Sequence, residues 1–146
     1  MRFEMGLASM DLKFRLTSLF FDKVMQLNFR YVLTWNNKGI VFLKLGRHEE
    51  AIQAFDKAIQ INPIDTMAWN NKGIALLKLS RHEEVIQACD KVIQLDPNDA
   101  LAWSNKGIAL GSLGRHEEAL QAHNMAIQLY SKYRTIESTD KPRIPN

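Results

Sequence analysis

The chain has 146 residues, 24% of them charged, and a formal net charge of +3. That length suits one domain with a continuous core, and so mild a charge, with no Lys/Arg run, lacks the electrostatic footprint of a nucleic-acid binder. The single cysteine rules out an intramolecular disulfide and fits a reducing, cytoplasmic setting; the apolar run Leu19-Phe20-Phe21 is too short for a signal-peptide core or a membrane span.

The first expected element is a helix over 10–29. Asp22-Lys23-Val24-Met25-Gln26-Leu27-Asn28 aligns with Asp56-Lys57-Ala58-Ile59-Gln60-Ile61-Asn62 at a shift of 34 (56 − 22), and Phe21 falls on Phe55. Residues 1–31 therefore read as a degraded half-repeat, the second helix of a unit whose first helix is mostly missing. Shortening of a longer array would leave such a start. Phe14, Leu16, Leu19 and Phe20 stand where the next unit has His48, Glu50, Gln53 and Ala54, so positions that are mostly polar have turned apolar. Two readings stay open. The segment packs against 1–9 or folds over to cap the stack, or it serves self-association or a partner, as large apolar patches do.

Three full units follow, at 32–65, 66–99 and 100–133. Trp35-Asn36-Asn37-Lys38-Gly39 recurs as Trp69-Asn70-Asn71-Lys72-Gly73 and as Trp103-Ser104-Asn105-Lys106-Gly107, each 34 residues on (69 − 35, 103 − 69). A fixed period of that size means one supersecondary unit stacked on copies of itself. Within the first unit Trp35, Gly39, Phe42 and Leu45 make one helical stripe, and Gly46-Arg47 interrupts it. Glu49, Glu50, Ala51, Ile52, Phe55, Ala58 and Ile59 make a second helix, acidic at its start as the helix dipole favours. Asn62-Pro63-Ile64-Asp65 ends it, since proline cannot continue a helix and Asp65 can cap the next. Helices are expected at 33–45, 48–61, 67–79, 82–95, 101–113 and 116–130. Ser131 replaces the proline of the earlier units, so the last helix can run on through Tyr130, Tyr133 and Ile136. The tail, placed at 134–146 and carrying Pro142 and Pro145, is expected to be disordered. No polar capping helix follows the third unit, which makes its open face a second candidate for end-to-end association.

The period and the order of marker residues (Trp, Gly, a large apolar residue, Ala, Phe, Ala, Pro) resemble the tetratricopeptide repeat, over residues 32–133. The resemblance implies an all-α, right-handed solenoid of antiparallel helical hairpins. It also implies a protein-interaction module in which the first helix of each unit lines an inner groove. Residues flanking the Trp–Gly stripe then face that groove: Asn36, Asn37 and Ile40; Asn70, Asn71 and Ile74; Ser104, Asn105 and Ile108; with Leu33, Met67 and Leu101 as an apolar row. Asn37, Asn71 and Asn105 form a ladder of one amide per unit. An amide both donates and accepts, so such a ladder can pair with a peptide backbone of any sequence; solvated or locally bonded amides are the alternative. The family's clamp for the carboxylates of chaperone tails would need Lys at Asn36, Asn at Ile40, Asn at Asn71, Lys at Leu101 and Arg at Asn105, and only Asn71 matches. Lys38, Lys72 and Lys106 stand where the family usually has leucine; they can lie over the apolar stripe and pair with nearby carboxylates, or attract acidic segments.

No catalytic constellation stands out. Arg-His-Glu-Glu recurs at 47–50, 81–84 and 115–118, but its histidines come one per unit, too far apart to share a metal, and no His pair at i, i+4 exists. Cys89 and His123 occupy one unit position in adjacent repeats, yet Phe55 fills the same place in the first unit and marks it as core. No glycine-rich phosphate loop and no cofactor motif is present. The expected function is peptide binding in the concave groove, with no enzyme activity, no cofactor, and neither nucleic acid nor membrane as partner. The alternative is a self-associating scaffold built on Phe14, Leu16, Leu19, Phe20 and the open last unit.

Overall fold

The computed structural model describes the backbone of residues 2–139 and the side chains of residues 12–134. It contains six helices, α1 (Arg2–Lys44), α2 (His48–Ile61), α3 (Thr66–Lys78), α4 (His82–Leu95), α5 (Ala100–Ser112) and α6 (His116–Thr139), and no strand among the described residues. Each helix packs on the next in chain order, so the fold is an all-α solenoid of helical hairpins. In addition α1 touches α3 and α3 touches α5, whereas α2, α4 and α6 do not touch one another among the described residues. An array whose first helices stand closer together than its second ones curves toward the first. The first helices therefore line the inner face.

Each hairpin closes on the same backbone device. Arg47 N donates to Phe42 O at 2.9 Å and Gly46 N to Leu43 O at 3.1 Å, and the same two bonds recur from Arg81 to Leu76 and Ser80 to Leu77, then from Arg115 to Leu110 and Gly114 to Gly111. This is the paired 6→1 and 5→2 helix ending that needs one left-handed residue. Gly46 (φ 74°) and Gly114 (φ 75°) supply it freely, while Ser80 holds φ 55° at a cost of about 1 kcal/mol. Across the turn Arg81 grips Glu84 through two bonds of 2.6 Å, and Arg47–Glu50 and Arg115–Glu118 repeat the pair. The guanidinium hydrogen bond, then its charge, holds Glu50, Glu84 and Glu118 below the ordinary glutamate range. Their contribution is present above the unfolded value and is lost as pH falls through the lowered one. All three pairs are open to water and orient the turn more than they stabilise it.

The core runs between units. Phe55, Ala75, Leu76, Val85, Cys89 and Val92 are buried in one cluster. Val32, Ala58 and Ala68 join α1, α2 and α3 in a second.

Both ends differ from the sequence expectation. The segment 10–29 does not fold over the stack or turn back on 1–9; it continues without a break into the first helix of the first unit, which starts far upstream of 33. The reason lies in two residues. Phe29 stands at the place of Pro63 and Pro97, and Tyr31 at the place of Asp65 and Asp99, so nothing stops one helix or caps the next. At the other end Ser131 and Tyr133 make the same replacements, and α6 runs on to Thr139. The tail expected to be disordered from 134 is thus helical through 139; residues 140–146 lie outside the described residues.

Candidate functional site

The seam between units is built from a few recurring bonds. Asp65 caps α3, its Oδ1 accepting from Met67 N at 3.0 Å and Ala68 N at 3.4 Å, while its Oδ2 accepts from Asn36 Nδ2 at 2.8 Å. Asp99 repeats this one unit on, accepting from Ala102 N at 2.8 Å and from Asn70 Nδ2 at 2.7 Å. Trp69 and Trp103 donate Nε1–H to the carbonyls of Pro63 and Pro97, both at 3.0 Å. Lys72 crosses to Asp56 of the preceding unit at 2.7 Å and Lys106 to Asp90 at 2.6 Å. These lysines also lie over Trp69 and Trp103, so the lysine row joins units as well as covering the aromatic stripe.

That seam claims two residues assigned to the groove from sequence. Asn36 is 1% exposed and Asn70 9%, and each is committed to the next unit's aspartate. A carboxylate only accepts, so the amide nitrogen must face it. The expectation that Asn36 and Asn70 line the groove is therefore corrected. They anchor one unit to the next. The sequence did carry the signal, an Asn and an Asp 29 apart (65 − 36, 99 − 70), with both replaced in the third unit, at Ser104 and Tyr133.

The asparagine ladder is graded. Asn37 is exposed, Asn71 half-buried, and Asn105 6% exposed with its Nδ2 buried and unpaired. The first helix of a unit packs back on the unit before it, and the first unit has none before it. The apolar residues stay on the open side. Met67, Leu101 and Ile108 are exposed, and Ile40 and Ile74 are half-buried. On the first helices Met67, Leu101 and Ile108 are thus open to water, with Asn37 exposed and Asn71 half-buried near them in sequence.

Chemistry elsewhere is sparse. No group of three metal-ligating residues occurs among the described residues. Cys89 is buried, with its pKa pushed up to about 12, by burial first and then by Asp90. No hydrogen bond joins it to His123, whose ring instead covers Gly107. A thiol so held is a poor nucleophile. Iodoacetamide at neutral pH is therefore expected to label the folded chain at least a hundredfold more slowly than the chain in denaturant, read by mass spectrometry; comparable rates would reopen Cys89 as a reactive group. None of the described helices is long and apolar enough to cross a membrane.

Models described as tetratricopeptide repeat match the chain at residues 32–65 and 67–99, and again at 88–121. Among curated proteins none matches. Among solved structures, the second TPR of Spaghetti (RPAP3) bound to the HSP90 peptide SRMEEVD superposes with a TM-score of 0.70 at 26% identity, covering 73% of this chain and 98% of that one. The Arabidopsis OM64 TPR domain gives 0.70 at 25% identity, over 72% and 87% of the two chains. The TPR2B domain of yeast Sti1, in a complex with an Hsp70 peptide, gives 0.70 at 24% identity, over 75% and 88%.

Proposed function

The chain belongs to the tetratricopeptide repeat family, and on that premise we propose that its inner face binds an extended segment of a partner protein. The observation that carries this is the face itself. Met67, Leu101 and Ile108 remain exposed on the first helices and belong to none of the buried clusters. Asn37 is exposed and Asn71 half-buried, and neither amide has a hydrogen-bond partner among the described residues. An amide that donates to a peptide carbonyl and accepts from a peptide N–H contributes whatever the ligand's side chains, and the apolar row adds affinity without strict sequence demands.

The Spaghetti domain was solved with an acidic peptide of HSP90, which supports peptide binding as the mode. The carboxylate clamp is not part of the proposal. Asn36 is buried against Asp65, Ile40 and Leu101 are apolar, and Asn105 is buried. The ligand's backbone, not its C-terminal carboxylate, is the recognised feature.

The test is a fluorescence titration of unrelated peptides that first show binding on an array. Asn37→Ala with Asn71→Ala removes about 1 kcal/mol per backbone bond, so affinity is expected to fall about tenfold or more for all of them. C-terminally amidated peptides should bind as well as free acids. A requirement for the free carboxylate, or indifference to the double substitution, would refute backbone recognition. A second reading, self-association, is favoured by one specific observation: Phe14, Leu16, Leu19 and Phe20 are each more than half exposed along α1.

A further inference from the structure

The outer face of α6 repeats a surface that the first two units cover. Ile52 of α2 is 7% exposed, in one cluster with Leu76, Val85 and Ala88 of the second unit, and half-buried Ile86 of α4 packs on Leu110 and Ala122 of the third. Seven residues on, Ile59 and Ile93 are half-buried, against the clusters that hold Ala68 and Ala102. The third unit has Leu120 and Ile127 at these two places, 62% and 63% exposed. Because α6 runs straight on to Thr139, the chain does not turn back over them where it turns after α2 and α4.

The polar groups that grip a following unit are replaced on this face. Asp56 pairs with Lys72 and Asp90 with Lys106, while Asn36 and Asn70 reach Asp65 and Asp99, which cap the next unit's first helix. Asn124 and Ser104 stand at the corresponding places in the third unit. A repeat of the same kind, the first unit of a second copy included, would bring a lysine to Asn124 and find no carboxylate. The aliphatic pair is kept and the charge is removed, and that combination suits a different occupant.

We infer that two copies pair through α6, antiparallel about a two-fold axis that passes between residues 123 and 124. At about 100° per residue Leu120, Asn124 and Ile127 fall within about 60° of one another, on one face of the helix. Leu120 and Ile127 are equidistant from the axis, so Leu120 of each copy meets Ile127 of its partner and the interface is closed and isologous. Both Asn124 side chains then lie beside the axis, on the same flank of the pair. Two aspartates there would repel at close range, whereas two asparagines donate to and accept from each other. The proposal rests on the self-association reading and moves its site from α1 to α6. It leaves the ligand face open, since Asn37, Met67, Asn71, Leu101 and Ile108 lie on α1, α3 and α5. One helix pair is a small interface, so the dimer forms with rising concentration.

The experiment is sedimentation equilibrium of the full chain from about 1 to 500 μM, where the mass is expected to rise from that of one chain toward twice that value. Asn124→Asp restores the residue of the other units and decides between arrangements. In the two-fold pair it sets like charges side by side and should weaken association about tenfold or more. In an end-to-end stack it would give Lys38 of the next copy its carboxylate, and stronger association would overturn the two-fold pair. An unchanged constant would place the contact elsewhere, on α1 for instance, and would overturn it as well. Asn124→Cys is expected to give a covalent dimer on mild oxidation that reduction reverses, because the two Cβ atoms come within disulfide reach beside the axis. The wild type, whose one cysteine is buried Cys89, should stay unlinked. A dimer that fails to link through residue 124 would overturn the pair. Asn124 is exposed, so both variants keep the fold, and far-ultraviolet circular dichroism checks it. A wild type of single-chain mass throughout would overturn self-association and this geometry together, while peptide binding is judged by its own titration.

Discussion

Replacement of Asp65 by alanine is expected to lower the unfolding free energy by about 2–4 kcal/mol, read as a shift of the urea midpoint at constant slope. Two losses coincide in this one residue. Its Oδ1 caps α3, and loss of an aspartate cap costs about 1 kcal/mol. Its Oδ2 accepts a hydrogen bond from Asn36 Nδ2, a side chain 1% exposed, and an amide left buried without a partner costs about a further 1–3 kcal/mol. The Oδ1 of Asn36 already lacks a partner, so no alternative bond is at hand. Asp65→Asn separates the two parts. Asparagine caps as well as aspartate through its one carbonyl oxygen, and the amide nitrogen that replaces Oδ2 can donate to the unpartnered Asn36 Oδ1 once the Asn36 amide turns over, so this change should cost less than half as much. Asp99→Ala should behave like Asp65→Ala, since Asn70 repeats the bond. A cost below about 0.5 kcal/mol for both alanine variants would mean that neither aspartate holds the seam.

Glycine to alanine at one repeat position should give effects of opposite sign in units one and two. A Cβ on Gly39 would stand 2.7 Å from Cδ1 and Cζ of Phe55, a fully buried ring that cannot swing away. Overpacking of that kind costs about 1–3 kcal/mol and outweighs the gain in helix propensity. A Cβ on Gly73 meets only Cys89 Sγ, at 4.0 Å. There the propensity gain of about 0.5–1 kcal/mol is kept, and Gly73→Ala should stabilise. Gly107→Ala should fall between them, because His123 crowds it at 2.7 Å but is only half-buried and can turn outward. Thermal unfolding at about 2–4 °C per kcal/mol resolves the order Gly73, Gly107, Gly39 from most to least stable. Equal effects at all three positions would show that side-chain size across the hairpin is not what matters.

Much of this molecule is legible as text. The 34-residue period places six helices, because each unit must bury a stripe that it cannot bury alone. Pro63, Pro97, Asp65 and Asp99 end and restart helices by local chemistry that needs no tertiary information, and their absence at Phe29, Tyr31, Ser131 and Tyr133 accounts equally for the long α1 and α6.

Depth is what periodicity could not supply. Asn36 and Asn37 are adjacent in the sequence and both flank the Trp–Gly stripe, yet one is buried against Asp65 and the other faces water. Successive residues on a helix point about 100° apart, and only the position of the next unit's loop determines which of the two it covers. The identical asparagine at 37, 71 and 105 passes from exposed to buried for the same reason, since each copy meets a different neighbour. Gly39 and Gly73 are likewise the same letter in the same motif, separated by whether Phe55 or Cys89 stands across the hairpin. A repeat specifies local conformation copy by copy, because torsions and caps depend on near neighbours; burial, and with it the surface left for binding, belongs to the stack and changes wherever the stack begins or ends.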